Sequence, residues 1–316
     1  MIEIINFELL KSKYNIITDV FSYYYPLKAN DNPKVINVLK ELGSGFLVGE
    51  YKKVLNLVNR YNVLPSKILF IASFTSEVNL TKLINLGVKN FIVDSHSAIS
   101  ALSKAKHNVS VLLRVSLTSE KHLDRFGVNF DEISDYIEAI KATCLTFSGF
   151  HFHIPAQFNS IEKEKKIIKI LLERYPDIDC LDVGGGFSLN DAESLGKYID
   201  KFGCLKKKAC EIGYGFINDV IDIETKVIGS KKIDDENIIF IGVGIYSGLL
   251  DTYMLGRKFN VVSNIEGEEK FLYHVYGPSF DNLDYVGDYY LPPLSIGDKI
   301  IIKNSGAYVR TLLTYF

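Results

Sequence analysis

Residues 146–186 read TFSGFHFHIPAQFNSIEKEKKIIKILLERYPDIDCLDVGGG. Two apolar runs, 146–154 and 178–183, flank a stretch in which Ile161, Ile168, Leu171, Leu172 and Tyr175 alternate with a Lys/Glu face. Near-continuous apolar strands are what parallel sheets covered on both sides require, and the stretch between them has the spacing of an amphipathic helix. Ser160 with Lys163 forms no capping box, so this helix lacks the reciprocal start signal.

The same rhythm runs outward in both directions, from about residue 20 to 215. Further strand candidates are 20–27 (VFSYYYPL), 45–49 (GFLVG), 67–72 (KILFIA), 90–94 (NFIVD), 109–116 (VSVLLRVS) and 207–212 (KKACEI), the last with the weakest pattern. In 33–43, Val35, Val38, Leu39 and Leu42 share one helical face, with Asp31 or Asn32 as cap and Pro33 at the first helical position. Eight strands alternating with helices predict a closed (β/α)8 TIM barrel; an open doubly wound sheet is the competing arrangement. After about residue 217, runs such as IDIETKVIG, NIIFIGVG, KFNVVSN, EKFLYHVYG and DKIIIKN are separated by Gly, Asn, Asp and Pro, which predicts a β-rich second domain. The expected division is 17–216 for the barrel and 217–316 for the β-domain, with 1–16 contributing to the latter.

Composition agrees with a globular enzyme-sized chain. The 316 residues suffice for about two domains, and 47% hydrophobic with 23% charged residues excludes disorder as a main theme. With 36 basic and 38 acidic residues there is no overall basic excess to suggest nucleic acid or an anionic membrane. Cys144, Cys180, Cys204 and Cys210 have no CxxC spacing and read as reduced thiols, without a disulfide frame or a metal site. MIEIINFELLKSKYN has no basic n-region ahead of an apolar core, and no run reaches the length of a membrane span, so a cytoplasmic protein is expected.

In a barrel, functional groups gather at the C-terminal strand ends. That rule selects Lys28, Arg114, His151, His153, the triplet Gly184, Gly185, Gly186, and Glu211. Each has an ordinary reading: a solvated lysine, a core histidine, a tight turn, a surface carboxylate. As a set they suit pyridoxal 5′-phosphate. An amine takes up the aldehyde, glycine N–H groups cradle the phosphate, and a carboxylate keeps the ring nitrogen protonated.

The sequence resembles the fold-type III pyridoxal-phosphate decarboxylases, the group of ornithine, diaminopimelate and arginine decarboxylases. The matching segments are YYPLKANDNP (24–33), ELGSGF (41–46), RFG (125–127), GFHFHIPAQ (149–157), LDVGGGF (181–187), EIGYG (211–215), GPSFDNLD (277–284), LPPLSIGD (291–298) and SGAY (305–308), in family order over nearly the whole chain. The resemblance implies an alanine-racemase-type barrel, a C-terminal β-domain and a homodimer with active sites at the interface. It makes Lys28 the Schiff-base lysine and sets His153 on the cofactor ring, with Glu211 facing the ring nitrogen. Gly184 to Gly186 and Tyr308 would hold the phosphate, and Arg114 would line the ring edge. Asp281 would meet the substrate's distal amino group from the partner subunit, with Tyr246 nearby.

Four motifs depart from the family pattern. Tyr214 stands where an arginine usually touches the phosphate, and Phe280 where a cysteine usually protonates the substrate carbon. Leu47 replaces an aspartate, and Pro155-Ala156 replaces Gly-Ser. The resemblance therefore implies decarboxylation of an amino acid with a distal amino group, in polyamine, siderophore or other specialised metabolism, with Tyr214 joining the phosphate contacts. The departures keep open a non-catalytic homologue acting through protein partners; a racemase on the same barrel is the third reading.

Overall fold

The computed structural model describes residues 1–116, 125–154, 161–203 and 205–312. The Pro155-Ala156-Gln157 stretch, Cys204, Tyr315 and Phe316 lie outside them. The chain forms two compact units: Lys11–Leu27 with Pro33–Gly215, and Met1–Leu10 with Lys28–Asn32 and Phe216–Phe316.

The chain starts with β1 (Ile2–Ile5) and α1 (Phe7–Thr18). The first unit is then built on β2 (Ser22–Pro26), β3 (Gly45–Val48), β4 (Ile68–Ile71), β5 (Asn90–Val93), β6 (Ser110–Arg114), β7 (Thr146–Ile154), β8 (Cys180–Gly185) and β9 (Lys207–Ile212). These strands close into a barrel in chain order, β9 pairing back onto β2 through Ser22–Ala209 and Tyr23–Cys210, all parallel. The open-sheet alternative is thereby excluded. Every one of the eight runs read from the sequence is a barrel strand, including KKACEI.

Both faces of these strands are buried, which is why they read as apolar runs and not as alternating ones. One parity points into the barrel and packs together: Tyr24, Leu47, Leu69, Ile92, Leu112, Cys180 and Ala209. The other parity, including Phe46, Phe70, Phe91, Leu113, Phe150, Val183 and Cys210, is buried on the outer side. The connecting helices are α2 (Pro33–Glu41), α3 (Tyr51–Tyr61), α4 (Glu77–Leu86), α5 (His96–Ser103), α6 (Ile133–Lys141), α7 (Ile161–Arg174) and α8 (Leu189–Asp200). Of the face expected in 33–43, Val35 and Leu39 are fully buried and Val38 and Leu42 half-buried, while Ile36, outside that face, is buried as well. Ser188 opens α8 with a capping box closed by Asp191, and Ser76 and Ser95 cap α4 and α5 by accepting backbone N–H bonds.

The second unit follows α9 (Tyr214–Ile217) and contains β10 (Ile221–Ile233), β11 (Glu236–Ile241), α10 (Leu250–Leu255), β12 (Asn260–Ser263), β13 (Phe271–Tyr276), β14 (Tyr285–Leu291) and β15 (Lys299–Lys303). They form one sheet in the order β12-β15-β10-β11-β13-β14, with β1 added to β10. Ile223, Val227, Ile239, Ile241, Val275, Ile300 and Ile302 form its core. The short loop Lys28–Asn32 belongs to this unit and is tied down by it. Tyr308 donates its backbone N–H to Ala29 O at 2.7 Å, Thr311 Oγ1 donates to Lys28 O at 2.7 Å, and Asn30 Nδ2 donates to Gly306 O at 2.9 Å. Arg310 bonds both Asp31 and Glu3, and Glu3 also accepts from Asn30 and Asn32.

Candidate active site

A β-bulge aims the histidines. On β6 and β7, Val111 pairs with Phe147 but Leu112 pairs with Gly149, so Ser148 is an extra residue and the strand changes phase. Gly149, His151 and His153 consequently share the inward parity of Leu112 and Arg114. The bulge requires glycine: Gly149 has φ +143°, and a Cβ there would lie 1.8 Å from the carbonyl oxygen of Cys180.

The register continues across the barrel. His151 stands beside Asp182, and His153 beside Gly184, which in turn pairs with Glu211. A Cβ on Gly184 would lie 2.9 Å from both His153 Nδ1 and Glu211 Oε2. The missing side chain thus leaves an imidazole and a carboxylate flanking bare backbone. Gly185 follows with φ +152°, a conformation glycine adopts freely.

Beneath this surface lies a buried polar cluster. His151 Nε2 is 3.3 Å from Glu211 Oε2, each side chain 1% exposed. Asp182 is fully buried, and one ligand atom from each of these three side chains lies within 4.8 Å of the others. Burial, and then the neighbouring Glu211 charge, hold the Asp182 carboxyl well above the usual carboxylate range. Arg114 is nearly buried, its guanidinium carbon 4.6 Å from the Phe126 ring centre. Tyr214 is half-buried at the start of α9.

The remaining expected site residues belong to the β-rich unit. Lys28 is exposed, two residues beyond the end of β2 in the chain. Tyr308 is half-buried with φ +62°, strain of about 1 kcal/mol for a non-glycine residue, and burial raises its phenol pKa. Tyr246 donates its hydroxyl to Asp281 Oδ2 at 2.9 Å, and Leu283 donates its N–H to Asp281 Oδ1 at 2.9 Å. The Leu283 N–H, followed by the Tyr246 hydroxyl, holds Asp281 below the usual range, so it is an anion. Phe280 is fully exposed and offers no proton.

Strand-end position does not select Asp182, and it selects His151 without giving it a role. The available signal was parity: Asp182 shares the inward phase of Gly184, and a carboxylate in an apolar strand facing a barrel interior needs a reason to be there. The bulge at Ser148 left no pattern to read.

This is the architecture of a barrel enzyme that holds a flat, cationic heteroaromatic ring. The bare Gly184 backbone, flanked by an imidazole and backed by a buried carboxylate, suits a flat ring that carries a positive charge. Residues 7–214 match the family model described as pyridoxal-dependent decarboxylase, pyridoxal binding domain. The chain belongs to that family, and its cofactor is pyridoxal phosphate. It is 26% identical to ornithine decarboxylase of Schizosaccharomyces pombe, over 93% of this chain and 74% of that protein. It is also 26% identical to lysine/ornithine decarboxylase of Selenomonas ruminantium, over 93% of this chain and 80% of that one. The crystal structure of the Paramecium bursaria Chlorella virus arginine decarboxylase has the same fold, with TM-score 0.90, 21% identity, and coverage of 99% of this chain and 92% of that one.

Proposed function

We propose that the protein decarboxylates an amino acid that carries a distal amino group. The observation that carries this reading is the buried Glu211 carboxylate, held by His151 at the floor of the Gly184 cleft. A carboxylate desolvated to that degree is stabilised by a permanent positive partner, and a protonated pyridine nitrogen is one. When bound, pyridoxal phosphate supplies the electron sink that accepts the electron pair left by departing carbon dioxide.

The chain's own residues divide the remaining work. Lys28 is the amine that holds the cofactor's aldehyde and yields it to the substrate amine. His153 lies against the ring, and Arg114 lines its edge. The N–H groups around Gly184, Gly185 and Gly186, with the Tyr214 and Tyr308 hydroxyls, bind the phosphate in place of the missing arginine. Asp281, an exposed anion oriented by Tyr246, receives the substrate's distal ammonium. In a homodimer it serves the partner's site. The substrate carbon takes its proton from water or another group, because Phe280 has none to give. That ornithine and lysine/ornithine decarboxylases are among the relatives supports a basic amino acid. The role is in polyamine, siderophore or other specialised amino-acid metabolism. No described helix is long and apolar enough to cross a membrane.

The test is a panel of ornithine, lysine, arginine and diaminopimelate, assayed for carbon dioxide release by protein loaded with pyridoxal phosphate. Release from at least one, abolished by Lys28→Ala, is expected. A loaded protein that releases none from any of them sinks the proposal.

A further inference from the structure

The cluster below Glu211 contains more ionisable groups than a ring nitrogen needs. Two carboxyls, Asp182 and Glu211, are 0% and 2% exposed, and ligand atoms of both lie within 4.8 Å of His151. Two anions at that separation repel strongly where water is absent, so a proton on one of them lowers the energy of the pair. The hydrogen bonds separate the two carboxyls. Glu211 Oε2 has the His151 Nε2 atom at 3.3 Å, whereas Asp182 meets no N–H donor among the described residues and its side-chain hydrogen bond is to Glu211, which requires a proton on one of the two carboxyls.

We propose that His151 and Asp182 are positioning residues for Glu211: His151 donates its Nε2–H to Glu211 Oε2 and Asp182 remains a neutral acid, so the cluster carries one negative charge and Glu211 holds it. This rests on the cofactor reading above, because the anion matters only if a cationic ring lies over it. Were the charge on Asp182, one residue pair deeper in the register, the ring nitrogen would face a protonated carboxyl.

The groups around Asp182 on every adjoining strand are consistent with this. Cys180 lies below it on β8, its thiol pushed up to about 12, chiefly by burial, so it is neutral. Cys210 on β9 is likewise pushed up by burial and is neutral. Lys207, at the foot of β9, donates to the Tyr24 hydroxyl at 2.5 Å and lies over that ring at 4.6 Å from its centre; its charge favours an Asp182 anion, but less than burial and Glu211 oppose one. Arg114 pairs in register with His151 at the upper edge. The raised pKa of Asp182, caused first by burial and second by Glu211, points the same way.

Two measurements test the inference. In the infrared, protein carrying isotope-labelled aspartate should show the carbonyl stretch of a protonated carboxylic acid at neutral pH, before and after cofactor loading, and Asp182→Asn should lack it. Absence of that band from the wild-type protein overturns the inference, whether or not the cofactor binds. In cofactor titrations, Asp182→Asn, which mimics a neutral acid, should bind within about threefold of wild type. His151→Phe should bind about ten- to a hundredfold more weakly, the loss of one charged hydrogen bond. His151→Gln, which keeps an N–H donor, should recover most of that loss. Equal losses in Asp182→Asn and His151→Phe, in proteins of matched thermal stability, overturn it too. A wild-type protein that takes up no pyridoxal phosphate sinks the proposed function instead, and leaves the infrared band to decide this one.

Discussion

Gly149 in β7 and the carbonyl of Cys180 in β8 are so close that a methyl group on the former would lie 1.8 Å from the latter's oxygen. The contact sits on the bulge that turns His151 and His153 inward. Gly149→Ala should therefore reduce unfolding free energy by about 3 kcal/mol or more and weaken cofactor uptake together, since overpacking and φ strain add. Denaturant melts beside a cofactor titration check this. Unchanged values of both would mean that the strand relaxes without re-phasing.

Lys28→Ala should abolish turnover while leaving the thermal midpoint within a few degrees, because the side chain is exposed and its backbone contacts remain. Borohydride reduction of the loaded wild-type protein should leave the cofactor's mass on the peptide containing Lys28. Label on another lysine would refute the assignment.

Asp281→Asn should raise KM for a diamino acid at least about tenfold, through loss of a charge-assisted contact, with a smaller effect on kcat. Tyr246→Phe should act in the same direction but more weakly, since Tyr246 orients Asp281 through one hydroxyl bond. Steady-state kinetics on both variants give the comparison. A kcat loss without a KM change would place Asp281 away from the distal amine.

Glu164 on α7 is 3% exposed, and burial, followed by the Asp191 charge, raises its pKa from 4.5 to about 7. The native state therefore holds a proton that the unfolded chain releases above pH of about 4.5. Stability is greatest below that value and declines as pH rises through about 7, by up to about 3 kcal/mol for this group. Glu164→Gln should remove that decline. Urea melts between pH 5 and 8 that fall as steeply in the variant as in wild type would rule Glu164 out as the cause.

The barrel was legible because its strands are buried on both faces, so each announces itself as an apolar run. KKACEI was the faintest because its inward parity carries Lys207 and Glu211 instead of aliphatic residues, the price of placing charge inside a barrel. In the β-rich unit the 285–291 strand was passed over: Asp288 and three tyrosines give it no apolar run, and its identity comes from pairing with Phe271–Tyr276. Strand-end position and family resemblance single out Lys28, His153 and Glu211. Asp182 is not among them, since a lone carboxylate in LDVGGG looks like part of a turn signal until the register puts it beside His151. The ties on Lys28–Asn32 were equally invisible, because they join residues about 280 positions apart.

Those ties bear on how the protein comes into being on the ribosome. The barrel strands and helices can pair as they emerge, but Gly306, Tyr308, Arg310 and Thr311 are made long after Lys28. A nascent chain with a closed barrel would still carry an unanchored Lys28 loop. The Lys28 loop is thus fixed in place only after residues 306–311 have been made.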